Sequence, residues 1–304
     1  MSARSASVPS SASTVSPSAA PSARPAPSPP REPSRIDLPR IGLFLLIAVA
    51  ASTLLSLPFG LGLLPAETVG LIVPLAQLSP LLAALIVRRR GRPWWRDLAL
   101  AVPSWRLLGI AVIVGALAFA AAPLLKNLLG LALGAPLGTT PLLPLLLAIP
   151  AVLVMQTVFA IGEEAGWRGW LHDQLAPLGL WRMSLLTGVL WSLWHLPVVI
   201  ALGLQGREAV TYLLTIVMVA PLLAIMREIS GTAWAAVIGH GLFNSLRVAI
   251  DQNLLGPVDP GLAWLIDGLG TVCWIVVAVL AWTSTRQLRP ARPAPAVAPV
   301  GPDA

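Results

Sequence analysis

The sequence predicts an all-α polytopic membrane protein, and three observations carry that prediction. Hydrophobic residues make up 56% of the 304 positions and charged residues only 11%, less than half the ~25% charged share of an ordinary globular protein. Mean hydropathy is +0.81. Too little polar surface remains to cover a water-soluble globule, so the solvent is mostly lipid. The third observation is arrangement. The apolar residues gather into eight stretches, at roughly 41–64, 69–87, 107–125, 142–162, 183–202, 209–226, 232–250 and 262–283. Most approach the ~20 residues that a helix needs to cross the hydrocarbon core. A membrane β-barrel would instead show segments of about ten residues with alternating polarity.

The elements follow in chain order. Residues 1–40 are almost entirely Ser, Ala, Pro and Arg. Such a segment buries too little apolar surface to offset chain entropy and is expected to be disordered. Residues 41–285 form the expected membrane-embedded unit of about eight transmembrane helices. Residues 286–304 repeat the Pro- and Ala-rich style and are expected to be a second disordered tail. Cys273 is the single cysteine, which rules out an intramolecular disulfide and a cysteine-based metal cluster.

The basic residues test the span count. With the N-terminus in the cytosol and the side alternating at each span, 17 of the 20 Lys and Arg fall on the cytosolic side. The other three are Lys126, Arg207 and Arg247. A bias this strong supports eight spans with both termini cytoplasmic. The net charge of +7 thus encodes orientation in a cell membrane, and nucleic acid is not expected as a partner.

Ionisable groups inside spans are costly and mark function by default. They concentrate in three places. The first is Glu163-Glu164-Ala165-Gly166-Trp167-Arg168, at the end of the fourth span. Glu164 and Arg168 are four apart and pair on one helix face, whereas Glu163 is rotated by about 100°. The second is His195, in Trp191-Ser-Leu-Trp-His195. The third is His240-Gly-Leu-Phe-Asn244, whose polar members lie one turn apart. Singly, each has a plain structural explanation: an interfacial collar, an interhelical hydrogen bond, polar glue between helices. Together, two histidines, two carboxylates, an arginine and an amide are an inventory for activating water. No Gly-x-Ser-x-Gly turn, phosphate loop or His-Glu-x-x-His helix is present. His172, just past the first motif, is expected to be solvated, and Trp191 and Trp194 flank the site.

At these residues the chain resembles the CPBP intramembrane proteases. That group includes the CAAX prenyl endopeptidases of the second type and the Abi-like bacteriocin-processing and self-immunity proteins. The family carries Glu-Glu-x-x-x-Arg, Phe-x-x-x-His and His-x-x-x-Asn/Asp. This sequence has Glu163-Glu164-x-x-x-Arg168, Trp191-x-x-x-His195 and His240-x-x-x-Asn244, in that order, within residues 142–250. The second motif has Trp in place of Phe, which keeps an apolar ring. The resemblance implies hydrolysis of a peptide bond in a membrane-associated protein or peptide, in a cavity open toward the cytosol.

In that chemistry Glu163 is the expected general base, with Glu164 the alternative; His195 shares its water, and His240 and Asn244 donate to the developing oxyanion. Arg168 and Glu164 form the supporting ion pair. Zinc is the open alternative, since His195, His240 and Glu163 are suitable ligand types; a tightly bound zinc is disfavoured because it leaves Asn244 and Arg168 less employed. Two other functions compete: a non-catalytic membrane scaffold or immunity factor, and a proton-coupled transporter. No internal repeat of the transporter kind is visible.

Overall fold

The computed structural model describes residues 36–89, 91 and 93–288. The two expected disordered tails lie outside the described residues, apart from residues 36–40 and 286–288. There the first helix already begins at Leu38, and a 3-10 turn spans Arg286–Leu288.

Among the described residues the chain is a bundle of helices: α1 (Leu38–Gly60), α2 (Val69–Ala76), α3 (Ser79–Val87), α4 (Trp94–Asp97), α5 (Trp105–Ala132), α6 (Leu142–Glu164), α7 (His172–Leu175), α8 (Leu180–Trp194), α9 (Leu196–Ala201), α10 (Gly206–Ser230), α11 (Ala233–Leu246) and α12 (Pro260–Thr285). Side-chain caps start several of them. Asp37 accepts from the Arg40 amide, Ser104 from Leu107, Thr232 from Trp234 and Asp259 from Leu262, each occupying an amide that the helix itself leaves unpaired. Gly231, at φ 71°, ends α10 in the left-handed conformation that glycine adopts without steric cost.

Six helices among the described residues are long and apolar enough to cross a membrane, fewer than the eight expected stretches. The other two stretches are helical but broken or short. The stretch at 69–87 divides into α2 and α3 around Gln77, with Pro80 at the start of α3, where its missing N–H interrupts the hydrogen-bond ladder. The stretch at 232–250 is α11, only 14 residues long, followed by a π-helical turn at Arg247–Asp251. That helix packs against α5, α6 and α10 inside the bundle, so it need not span lipid by itself. The outward surface is apolar: Leu54, Leu117 and Leu147 are 77%, 67% and 71% exposed, a pattern suited to acyl chains rather than water.

The bundle has two ends, tied by separate contacts. At one, Asp37 pairs with Arg89, Arg88 with Asp97, and the Thr232 hydroxyl donates to the Ala99 carbonyl. At the other, Lys126 pairs with Asp251 and Asp267, and Arg207 also pairs with Asp267. Around that second end, the connections at Leu137 and Leu255 form a β-bridge. The chain alternates between the two ends through all eight apolar stretches.

Close approach at glycine positions the site. A Cβ on Gly162 would lie 2.5 Å from the Gln77 carbonyl oxygen and 2.8 Å from the Leu78 Cα. Only a residue without a side chain lets the break between α2 and α3 nest against α6. We expect Gly162→Ala to push these elements apart and to cost about 1–3 kcal/mol through overpacking. A lowered unfolding midpoint of the detergent-solubilised protein, followed by tryptophan fluorescence, would show this; an unchanged midpoint would refute the close-packing account.

Candidate active site

The three sequence motifs meet around one cavity. It is lined by Gln77, Glu163, Trp191, His195, Tyr212, Thr215, Ile216, His240, Phe243, Asn244 and Arg247 and holds about 60 Å³ of free space, room for a few water molecules.

Glu163 is buried near the C-terminal end of α6. Its Oε1 accepts from Gln77 Nε2 at 2.7 Å and its Oε2 from Trp191 Nε1 at 2.6 Å. A carboxylate oxygen has two lone pairs, so each keeps one for a water in the cavity. Glu164 is also buried but does not line the cavity. Its Oε1 accepts from Arg168 Nη1 and from His240 Nδ1, both at 2.9 Å. The adjacent carboxylates thus have different partners: neutral donors for Glu163, an arginine and a histidine for Glu164.

The helix does not stop at the Glu-Glu pair. After Glu164 it widens into a π-helical segment, Ala165–Leu171, all of it buried. Continuation keeps Arg168 one turn from Glu164 and also carries His172 inside. His172 is therefore buried rather than solvated, with its Nε2 3.3 Å from Glu228 Oε1. Such π segments recur at functional sites in helices.

Trp191 joins the parts. Its indole N–H donates to Glu163, and its carbonyl accepts from His195 Nδ1 at 2.9 Å. The Arg168 guanidinium lies 4.2 Å over its ring, a cation–π contact. The His195 and His240 rings lie 5.5 Å and 5.3 Å from it, edge to face. Both Nδ1 atoms face groups that only accept, so both carry hydrogen there, and each Nε2 is left for other partners. His195 caps α8, and α9 starts at once with Pro197 in its first turn. His195 stays in the helical ladder, its N–H bonded to the Trp191 carbonyl at 3.2 Å and its own carbonyl accepting from Val199 at 2.8 Å, with Trp194 packed at 4.6 Å and Tyr212 at 5.7 Å from its ring. Asn244 lies one turn beyond His240, on the same wall, and donates to Gln156 Oε1 at 3.0 Å; its second amide hydrogen remains for a ligand.

All six sequence-predicted residues, Glu163, Glu164, Arg168, His195, His240 and Asn244, therefore meet here, five of them buried, with Glu164 and Arg168 behind the cavity wall. Sequence reasoning placed Trp191 as the aromatic of the second motif, flanking the site, without its bond to Glu163, and passed over Gln77, Gln156 and Tyr212. The signal was available: Gln77 and Gln156 are amides within apolar stretches, where an amide without partners is costly, though less so than a charge. The residues do not fit the suggested three-ligand zinc site as they stand. Among the described residues no three His, Cys, Asp or Glu side chains form a group that could hold a metal ion.

Known proteins give the same picture. Residues 144–246 match the family model for type II CAAX prenyl endopeptidase Rce1-like proteins, a stretch that contains all three motifs. The "CAAX prenyl protease 2" of Methanococcus maripaludis is 43% identical over 49 residues, 16% of this chain and 18% of that protein. The match thus spans less than a fifth of the relative's length. The resemblance read from the motifs is to this family.

Different partners predict different sensitivities. Arg168→Met leaves Glu164 buried without its arginine and should cost about 3–5 kcal/mol of stability. Glu163→Gln should leave stability within about 1 kcal/mol, because the Gln77 amide can flip to accept from the new NH₂ while Trp191 still donates. Thermal unfolding of both variants in one detergent checks the contrast; equal losses would refute it.

Proposed function

We propose that this protein is an intramembrane endopeptidase that hydrolyses a peptide bond of a membrane-associated protein or peptide, with Glu163 as general base. The observation that carries the reading is the arrangement of Glu163, His195, His240 and Asn244 around one small polar cavity inside a lipid-facing bundle.

Water bound between Glu163 and His195 Nε2 gives its proton to a free lone pair of Glu163. Its oxygen attacks the carbonyl carbon, and the carbonyl π electrons move to oxygen. Asn244 donates to that oxyanion from its remaining amide hydrogen. His240 donates from Nε2 as an imidazolium, with Glu164 holding its Nδ1–H. Glu163 then returns the proton to the amide nitrogen as the C–N bond breaks, leaving a carboxylic acid and an amine. Gln77 and Trp191 hold the carboxylate so that it needs little rearrangement between the two transfers. No step of this route needs a metal.

We also read the chain as a multi-pass plasma-membrane protein with both termini cytoplasmic, supported by the distribution of basic residues along the sequence. The membrane-embedded unit at 41–285, with its motif core at 142–250, is the part to which the function belongs.

Cleavage of a membrane-tethered reporter by the purified protein in liposomes tests the mechanism. Relative to wild type, Glu163→Gln should lower kcat by about 10²–10⁴, the usual contribution of a positioned base. Asn244→Ala should lower it by about 10²–10³, as for one oxyanion donor. His195→Ala and His240→Ala should also lose kcat, and treatment with a chelator should leave the wild type active. Undiminished cleavage by Glu163→Gln would exclude this site. Loss on chelation with recovery on adding zinc would overturn the metal-free route.

A further inference from the structure

Arg247 lines the catalytic cavity but takes part in no step of the proposed hydrolysis. It lies three residues past Asn244 and seven past His240, a spacing that sets all three on one helix face. It is partly buried, at the start of the π-helical turn after α11. Its guanidinium lies 5.1 Å over the Tyr212 ring, a contact that leaves most of its five N–H donors for another partner. Among the described residues neither that guanidinium nor the Tyr212 hydroxyl has a hydrogen-bond or ion-pair partner. Tyr212 and Arg247 also line a second, polar cavity of about 430 Å³. The carboxylates of the two cavities are engaged elsewhere. Asp251 pairs with Lys126, Asp267 pairs with Lys126 and Arg207, and Glu163 accepts from Gln77 and Trp191. Glu208 is exposed.

We propose that Arg247 is a specificity residue that binds a carboxylate of the substrate, with the Tyr212 hydroxyl as a second donor. The proposal rests on the peptidase reading of the cavity and adds the class of group that the cavity selects. Three features carry it. A cation inside a lipid-facing bundle is costly without an anion, and no described residue supplies one to Arg247. The planar fork of a guanidinium matches a carboxylate through two parallel hydrogen bonds. Position comes from the helix: Arg247 follows Asn244 by about 4.5 Å along the axis, and an extended peptide advances about 3.3 Å per residue. A substrate whose attacked carbonyl rests on Asn244 therefore offers Arg247 a group within its next few residues. That group is the carboxylate that ends a chain or the side chain of an Asp or Glu; both present the same two oxygens.

Binding of short palmitoyl-anchored Ala- and Leu-based peptides to the protein in nanodiscs tests this. The probes share one anchor and one sequence. They carry a free carboxylate at the chain end, an amide there instead, an amide with one internal Glu, or an amide with one internal Gln. Binding is read on the Glu163→Gln protein, and cleavage on the protein with Glu163 intact. A probe that binds and is never cleaved thus counts against the peptidase reading alone. We expect a carboxylate probe to bind about 10–100-fold more tightly than its amide counterpart, as for hydrogen bonds to a charged group. Whether the chain-end or the Glu probe shows the preference identifies the source. Adding Arg247→Gln should bring the pair level, Arg247→Lys should keep part of the preference, and Arg247→Glu should favour a probe with Lys in place of the internal Glu. An arginine with a merely structural role would weaken all probes together and leave their ratios intact. Equal binding of carboxylate and amide probes, no binding of any probe, or a preference that survives Arg247→Gln overturns the proposal. Should Arg247→Gln not fold, an undiminished preference in Arg247→Lys, which keeps the charge and loses the fork, overturns it instead.

Discussion

The hydrogen bond from Trp191 to Glu163 is the constraint on which the site depends. A carboxylate inside a lipid-facing bundle has no bulk water to solvate it and must find donors in the protein. The indole N–H supplies one at 2.6 Å and Gln77 the other at 2.7 Å. Holding Trp191 in this way also sets its neighbours, because its carbonyl orients His195 and its ring packs against Arg168 and His240. One side chain thus links residues from three sequence motifs. An aromatic ring without a donor would keep the packing and lose the bond to the carboxylate. The presence of Trp here, where the family pattern has Phe, changes the chemistry of the site as well as its volume.

The second constraint is the pair of adjacent glutamates. Successive residues on a helix point about 100° apart, so two carboxylates can be neighbours in sequence and still face different surroundings. Glu164 turns toward Arg168 and His240, and Glu163 toward the cavity. The π-helical segment after Glu164 makes room for this, burying Arg168 beneath the arginine-rich connections rather than releasing it to the interface. The same continuation explains why His172 is buried against Glu228.

Much of this was legible in the sequence, and the rest was hidden for physical reasons. Composition and periodicity made the all-α membrane class plain, because a lipid solvent leaves a strong apolar signal. The motif residues stood out because ionisable groups in apolar stretches are rare. The span lengths were less visible. Apolarity alone cannot distinguish a helix that faces lipid from one that neighbours enclose, which is why α11 looked like a full span. Nor does it show a break such as the one at Gln77, which depends on Pro80 and on the close approach of Gly162. The partners of Glu163 were missed because counting charges overlooks amides and indoles, although an unpaired amide is also costly in lipid.

The depth of the site follows from these same packing choices. His240 lies seven residues into α11, about 10 Å from its start at the arginine-rich end, and Tyr212 six residues into α10, about 9 Å from the opposite end. The polar cavity therefore occupies the middle of the bundle. On one side, Trp167 and Trp170 of the π segment are buried against the bundle. On the other side, α9 closes the 22-residue span Leu180–Ala201, and α11 gives way to the π turn Arg247–Asp251. Past those ends lies a second cavity, which Lys126, Arg207, Asp251 and Asp267 line with ion pairs. Leu204, just past α9, and Asp251 and Gln252, at the π turn past α11, line that second cavity, so it is where these helices end that shapes the polar space beside the site.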